Sequence, residues 1–280
     1  MSKTIITAAL TGAVTPKEKN PYIPLYPEEI AKDAYACWKA GAAIVHIHTR
    51  HEDGKGAMNT AAFAEIKERI RAYEDCDVIL NFTSSGASAE HPATDEERYR
   101  HHQTVDGIEM GSYDAGSFNW LPGVFMNSPS FLEALGKVYK ERGIKPEFEI
   151  FDAGMLGIVN YYTKQGILDT PGHYCFCLGV LGGMDATVEN LVYLKNHIPE
   201  GSTWSAFGVG RNHMPIMYAT LALGGNIRVG LEDNVYMSKG VPASNVGLVE
   251  RAVKAVKLFG NEPATPAEAR EILGIKPLVR

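Results

Sequence analysis

Short apolar runs alternate with amphipathic segments from one end of the chain to the other. The runs that read as strands, apolar and rich in β-branched residues, cover residues 4–9, 43–48, 78–83, 107–112, 147–151, 174–179, 203–207 and 227–231. Segments with apolar residues at helical spacing lie between and after them, at 27–40, 60–73, 95–102, 129–142, 154–164, 187–197, 213–223 and 244–259. Several carry a start signal, as in Tyr26-Pro27-Glu28-Glu29, with proline at the first helical position and acids in the first turn. Eight strands, each followed by a helix, predict an α/β protein of the (β/α)8 TIM-barrel type, one domain over residues 1–280. The rival is a doubly wound open sheet, which usually shows a glycine fingerprint after its first strand. The segment Ala9-Leu-Thr-Gly-Ala-Val14 does not supply one.

A barrel directs the search for chemistry to the C-terminal ends of its strands, where the catalytic site of such folds sits. The second strand ends in Gly41-Ala-Ala-Ile-Val-His-Ile-His-Thr-Arg50. Side chains alternate along a strand, so His46 and His48 share one face, and Val45 and Ile47 take the other. Two imidazoles side by side make a metal site that still lacks an acid. The eighth strand supplies one in Arg228-Val-Gly-Leu-Glu-Asp-Asn234. A closed barrel brings strands two and eight close at its mouth, so His46, His48 and Glu232 form a two-histidine, one-carboxylate set with room for a ligand. Zinc is the commonest catalytic metal for that set; ferrous iron and manganese accept the same residue types.

Asp233 points away from its neighbour Glu232 and suits a general base, and Arg228 can pair with it or hold a substrate carboxylate with two prongs. The plain alternative is a structural Arg–Asp salt bridge. Glu147 and Glu149 alternate on strand five, so both face the barrel interior, where unpartnered carboxylates are costly. Thr83-Ser84-Ser85-Gly86, after strand three, offers hydroxyls and backbone amides to an oxyanion or carboxylate, or is an ordinary polar turn. The glycine-rich loops Gly179-Val-Leu-Gly-Gly-Met184 and Gly208-Val-Gly-Arg211 open on the same face. His173-Tyr-Cys-Phe-Cys177 places three possible ligands on one strand face. At about 3.3 Å per residue the outer two lie roughly 13 Å apart, so one zinc cannot take both and the cysteines read as core.

Composition narrows the class. The chain is 45% hydrophobic and 21% charged with a formal net charge of −6, which gives no support for nucleic-acid or membrane-surface binding. No apolar stretch approaches the roughly 20 residues needed to cross a bilayer. Met-Ser-Lys followed by Thr-Ile-Ile-Thr reads as a strand start without a secretory cleavage pattern. Four cysteines in 280 residues do not form a disulfide scaffold, so a reducing cytoplasm is the expected compartment.

Taken together, Thr7-Ala-Ala-Leu-Thr-Gly12, Ala42-Ala-Ile-Val-His-Ile-His48, Gly182-Gly-Met184, Gly210-Arg-Asn-His-Met-Pro215 and Gly225-Asn-Ile-Arg-Val-Gly-Leu-Glu-Asp-Asn234 resemble the β-keto acid cleavage enzymes over nearly the whole chain. The resemblance implies a zinc-dependent barrel, typically a homotetramer, that converts a β-keto acid and acetyl-CoA into acetoacetate and a new acyl-CoA. Carried over, it implies one zinc per subunit on His46, His48 and Glu232, with Asp233, oriented by Arg228, removing a proton from the carbon between ketone and carboxylate. Glu149 and Thr83 match family positions that contact or assist the substrate, and Ser112 matches a position hydroxylated in the member that acts on a 5-amino substrate.

That member carries a glutamate where this chain has Val14, and valine cannot pair with an ammonium. An ammonium buried there without a partner costs on the order of several kcal/mol, so a β-keto acid without the amine, most simply with a neutral apolar tail, is expected. Arg50 or Arg211 could instead receive the second carboxylate of a β-ketodioic acid. The rival enzyme class is a metal-dependent amidohydrolase, whose His-x-His pair normally lies on the first strand. A non-catalytic metal-binding barrel with a decayed site is the remaining alternative.

Overall fold

A computed structural model describes residues 2–278. Eight parallel strands, β1 (Ile6–Ala9), β2 (Ile44–Ile47), β3 (Ile79–Phe82), β4 (Met110–Asp114), β5 (Lys145–Ile150), β6 (His173–Leu178), β7 (Thr203–Gly208) and β8 (Asn226–Val229), close into a barrel in sequential order. The helices that follow them are α1 (Pro27–Ala40), α2 (Thr60–Arg71), α3 (Asp95–Thr104), α4 (Pro129–Arg142), α5 (Gly154–Lys164), α6 (Val188–Asn196), α7 (His213–Ala222) and α8 (Asn245–Leu258). Most strand residues are buried on both faces, because side chains fill the barrel inside and helices cover it outside. That double burial explains the near-continuous apolar runs in the sequence.

A ninth helix, α9 (Pro266–Leu273), had no counterpart in the sequence prediction. Its signals were present: Thr265 and Glu268 form a reciprocal capping box, Pro266 opens the helix and Gly274 ends it in the left-handed conformation. Ala269 and Leu273 pack on Ile44, Ile79 and Met110, so α9 plugs the N-terminal end of the barrel. The opposite end is left free for chemistry.

Two boundaries differ in ways that matter. The run predicted at 43–48 stops pairing in the barrel at Ile47, and Thr49–Arg50 turns into an antiparallel hairpin with Gly56–Ala57. His48 therefore sits at the break, still on the face of His46. The strand predicted at 107–112 begins later and ends at Asp114, because Gly107, at φ +79°, belongs to the preceding turn. This register carries Asp114 inward beside its β5 partner Glu149.

Candidate active site

The loops at the C-terminal end enclose a cavity of about 490 Å3. His46, His48, Glu232, Asp233, Arg228 and Glu149 all line it. The two histidines come from the end of β2, and Glu232 and Asp233 come from the turn after β8. Gly230 makes that turn possible. Its φ is +146°, and a Cβ there would lie 1.9 Å from the Ala9 carbonyl oxygen, so only glycine lets the turn lean over the end of β1. Gly12, at φ +60°, yields in the same way to the Glu232 side chain. Asn245 at the start of α8 then fixes the turn: its amide nitrogen donates to Leu10 O (2.8 Å) and its oxygen accepts from Leu231 N–H (2.7 Å).

Glu232 Oε1 lies 3.5 Å from His46 Nε2 and 3.4 Å from His48 Nε2. Burial pushes the His46 imidazole down to about 3, so at neutral pH its ring is uncharged. Both ring nitrogens of His46, Nδ1 of His48 and Oε2 of Glu232 are buried without hydrogen-bond partners. Unanswered buried polar atoms are rare and costly, and one of them, His46 Nε2, lies where His48 Nε2 and Glu232 Oε1 meet. Zinc bonded at about 2.0–2.1 Å to tetrahedral ligands sets those ligands roughly 3.4 Å apart, which is the spacing observed. The donor set fits a small divalent cation. His46, Glu147 and Glu149 form a second possible grouping, in which Glu147 accepts from Asn81 and Glu149 from Arg228.

Arg228 organises those acids. Its Nε and Nη2 fork onto Asp233 at 2.9 and 3.0 Å, Nη2 also reaches Glu232 Oε1 (2.6 Å), and Nη1 donates to Glu149 Oε1 (2.8 Å). The guanidinium lies over the Phe207 ring. Burial pushes the Asp233 carboxyl up to about 6, even with Arg228 beside it. Burial likewise holds Glu149 well above the usual carboxylate range. Glu147 lies one layer deeper, takes a hydrogen bond from Asn81 Nδ2 (2.7 Å) and faces His173. Burial opposes its ionisation, yet His173 and Arg228 bring it down to about 2.

The loop after β3 is held from outside by α3. Arg98, His101 and His102 donate to the carbonyls of Ser84, Thr83 and Phe82 at 3.0, 2.9 and 3.1 Å, three successive residues. Thr83, Ser85 and Gly86 line the cavity. The Thr83 hydroxyl donates to Ser85 O and accepts from Ser85 N–H, so it closes the turn on itself. Ser84 is buried away from the cavity. Ser112 is buried too, and its hydroxyl accepts from Ser84 N–H (3.0 Å), so it supports the loop and does not face the cavity.

Ser84 and Ser112 thus leave the expected substrate-facing set, and three further expectations change. Arg50 is not open to a substrate: it donates to the carbonyls of Thr11, Gly12, Thr15 and Gly54, holding the β1 loop in place. Arg211 is exposed and does not line the cavity. Val14 does line it, but at the rim and 73% exposed, so an ammonium there would keep its water and the burial cost expected from the sequence does not apply. The cysteines are free and buried, as their core reading requires. Asp114 and the α3 trio escaped the sequence reading altogether. Asp114 lay just past the predicted strand end, and α3 reads as a polar helix whose buried face consists of Arg98, His101 and His102.

Fold and site define an α/β-barrel enzyme with a His-His-Glu cluster beside an arginine-gripped acid. The chain belongs to the β-keto acid cleavage enzyme family, whose profile matches residues 3–275. It is 44% identical over 279 residues to the 3-keto-5-aminohexanoate cleavage enzyme of Fusobacterium nucleatum, covering 99% of each chain. It is 35% identical over 288 residues to the 3-dehydrocarnitine:acetyl-CoA trimethylamine transferase of Rhizobium meliloti, covering 96% of this chain and 95% of that one. Among solved structures, apo ObcA matches the fold with a TM-score of 0.80 at 20% identity, over 91% of this chain and 66% of the longer ObcA chain. Membership of this family removes the amidohydrolase reading. Among the described residues, no helix is long and apolar enough to cross a membrane.

Proposed function

We propose that the chain is a zinc-dependent enzyme that converts a β-keto acid and acetyl-CoA into acetoacetate and a new acyl-CoA. The observation that carries this reading is the meeting of His46 Nε2, which has no hydrogen-bond partner, with His48 Nε2 and Glu232 Oε1 next to the Arg228–Asp233 fork. His46, His48 and Glu232 would hold one zinc per subunit. Zinc there supplies Lewis acidity that makes the carbon between ketone and carboxylate easier to deprotonate.

Asp233 takes that proton. Its carboxyl is poised near 6, close to neutral pH, where a general base is most effective. Arg228 fixes both Asp233 oxygens and keeps the base aimed at one point. The carbon so freed attacks the acetyl-CoA carbonyl, forming the new carbon–carbon bond. The CoA thiolate moves to the former ketone carbon, the original bond breaks, and Asp233 returns its proton to the departing acetoacetate. Glu149, tied to Arg228, faces the reacting carbons as a second proton-handling group, and Thr83, Ser85 and Gly86 shape the wall that receives the keto acid.

The tail of the keto acid lacks the 5-amino group in this reading, since Val14 offers no carboxylate at the rim. The exposed apolar side chains of Leu121, Val124, Met126 and Leu181 around the mouth suit burial in a homotetramer, and four reduced cysteines suit the cytoplasm. Metal removal tests the proposal. Activity on a β-keto acid with acetyl-CoA should vanish with a chelator and return with stoichiometric zinc; full activity in metal-free protein would overturn it.

A further inference from the structure

Arg211, on the loop after β7, is exposed and has no carboxylate partner among the described residues. Two more cations share that condition on the β8 side. Lys239 tips the exposed hairpin of Tyr236–Ser238 and Val241–Pro242, which belongs to the loop after β8. Arg251, on α8, is half-buried and gives both of its Nη groups to neutral acceptors, Nη1 to Met237 O (2.7 Å) and Nη2 to His213 Nε2 (2.7 Å). Its neighbour Glu250 does not pair with it. His213 in turn donates from Nδ1 to Gly210 O (2.7 Å). Arg251 thus ties the hairpin to the turn that carries Arg211, and its charge goes unanswered. In a chain of net charge −6, three cations without a partnering acid on adjoining loops suit an anion from outside.

The other loops around the mouth do not offer this. Lys17 pairs with Glu29 and Lys55 with Glu90, Arg50 is spent on carbonyls, and Lys19 lies beside Glu18. Residues 115–132, which follow β4, carry no charged side chain. The cationic side is also the side of the base. Gly210 N–H donates to the Asp233 carbonyl (3.0 Å) and Val209 lines the cavity, so Arg211 stands just outside the wall beside Asp233. Gly210 adopts φ +59°, and no atom lies within 4 Å of where a Cβ would sit, so the backbone there borders open space. In the reaction proposed above, the thioester carbonyl must meet the carbon that Asp233 deprotonates. The rest of the co-substrate then leaves the cavity past the adjoining loops, and its anionic end comes to lie outside. Barrels of this type frequently hold phosphates on the loops after strands seven and eight.

We propose that Arg211 and Lys239, backed by the charge of Arg251, hold the phosphates at the nucleotide end of acetyl-CoA. This rests on the function proposed above: the two loops take the nucleotide of the co-substrate and leave the cavity to the thioester and the keto acid.

The test compares acetyl-CoA with S-acetylpantetheine, which presents the same thioester without the nucleotide, in the parent enzyme, Arg211→Ala, Lys239→Ala and Arg211→Lys. In the parent, kcat/KM should favour acetyl-CoA by about a hundredfold or more, and the preference should weaken as NaCl rises. Arg211→Ala and Lys239→Ala should each cut that preference by about tenfold through the KM for acetyl-CoA, with the KM for the keto acid within about twofold of the parent. Arg211→Lys keeps the charge and should recover part of the loss. Both side chains are exposed, so the melting temperatures should stay at the parent value. Calorimetry with adenosine 3′,5′-bisphosphate reads the same site without turnover: the zinc-loaded parent should bind it, and the variant carrying both Arg211→Ala and Lys239→Ala should bind it at least about tenfold more weakly. Binding that depends on the two cations, in a protein that turns over no keto acid, would keep this site and overturn the reaction. Turnover without a preference for acetyl-CoA in the parent, a preference unchanged in the variants, a KM for the keto acid that rises as far as that for acetyl-CoA, or bisphosphate binding equal in parent and doubly substituted protein would each overturn the site and leave the reaction standing.

Discussion

Arg228 holds Asp233 by two parallel hydrogen bonds, Nε to Oδ2 at 2.9 Å and Nη2 to Oδ1 at 3.0 Å, inside a cavity wall that also contains Glu149 and Glu232. A fork of this kind fixes the carboxylate in position as well as in charge. It leaves Asp233 directed but still basic, since burial lifts its carboxyl to about 6. Asp233→Asn should therefore keep the fold and lower kcat by about 10²–10⁴-fold, with loss of solvent exchange at the α-carbon of a β-keto acid in heavy water. Exchange at the parent rate in the variant would remove Asp233 from the role of base.

Arg228→Met should be more damaging than Asp233→Asn. Removing the guanidinium leaves Glu149, Glu232 and Asp233 without their shared cation in a buried site. The expected loss is about 3–5 kcal/mol of stability, read by urea unfolding. Arg228→Lys keeps the charge but not the fork, and should recover part of the stability with little of the activity.

His46→Ala should abolish stoichiometric zinc while the far-ultraviolet circular dichroism stays that of the parent. The barrel closes through strand pairing and α9, and neither depends on the histidines. Collapse of the fold on zinc removal would instead mark a structural metal.

The α3 clamp makes a separate prediction. His101→Leu leaves the buried Thr83 carbonyl without a donor, at a cost of about 1–3 kcal/mol. The displaced Thr83–Gly86 wall should raise KM for the keto acid more than it lowers kcat. His101→Gln, which can donate again, should restore much of the KM.

Stability should carry a pH signature from Asp33 on α1. Burial pushes its carboxyl up to about 6, opposed by a hydrogen bond from Asn245. The folded value lies above the ordinary 3.9 or so of an unfolded aspartate, so its contribution is fully present below pH 3.9 and is lost as pH rises through about 6. A shift of roughly two units corresponds to at most about 3 kcal/mol. Urea unfolding of the parent and Asp33→Asn at pH 5 and pH 8 should show the variant losing less stability over that interval.

The barrel and the metal-ligand candidates were legible because both rest on short-range periodicity. His46 and His48 declare a shared face through their spacing, and Arg228, Glu232 and Asp233 lie within a single strand end. What escaped depended on contacts far apart in sequence. Arg50 reads as a free cation until the carbonyls of Thr11, Gly12 and Thr15 are seen around it. Ser112 reads as a ligand-facing hydroxyl until Ser84 N–H is found on it. His101 and His102 lie on a helix with almost no apolar face, so no amphipathic pattern marks them as inward. Asp114 was lost to a strand boundary only a few residues off.

The central claim is the exchange of carbon skeletons between a β-keto acid and acetyl-CoA, and an isotope settles it most directly. Zinc-loaded protein is given acetyl-CoA labelled in the acetyl carbons together with an unlabelled β-keto acid, and the products are separated by mass. The account predicts labelled acetoacetate and an unlabelled new acyl-CoA carrying the keto acid's tail. Labelled free acetate beside intact keto acid, or acetoacetate without label, would contradict it.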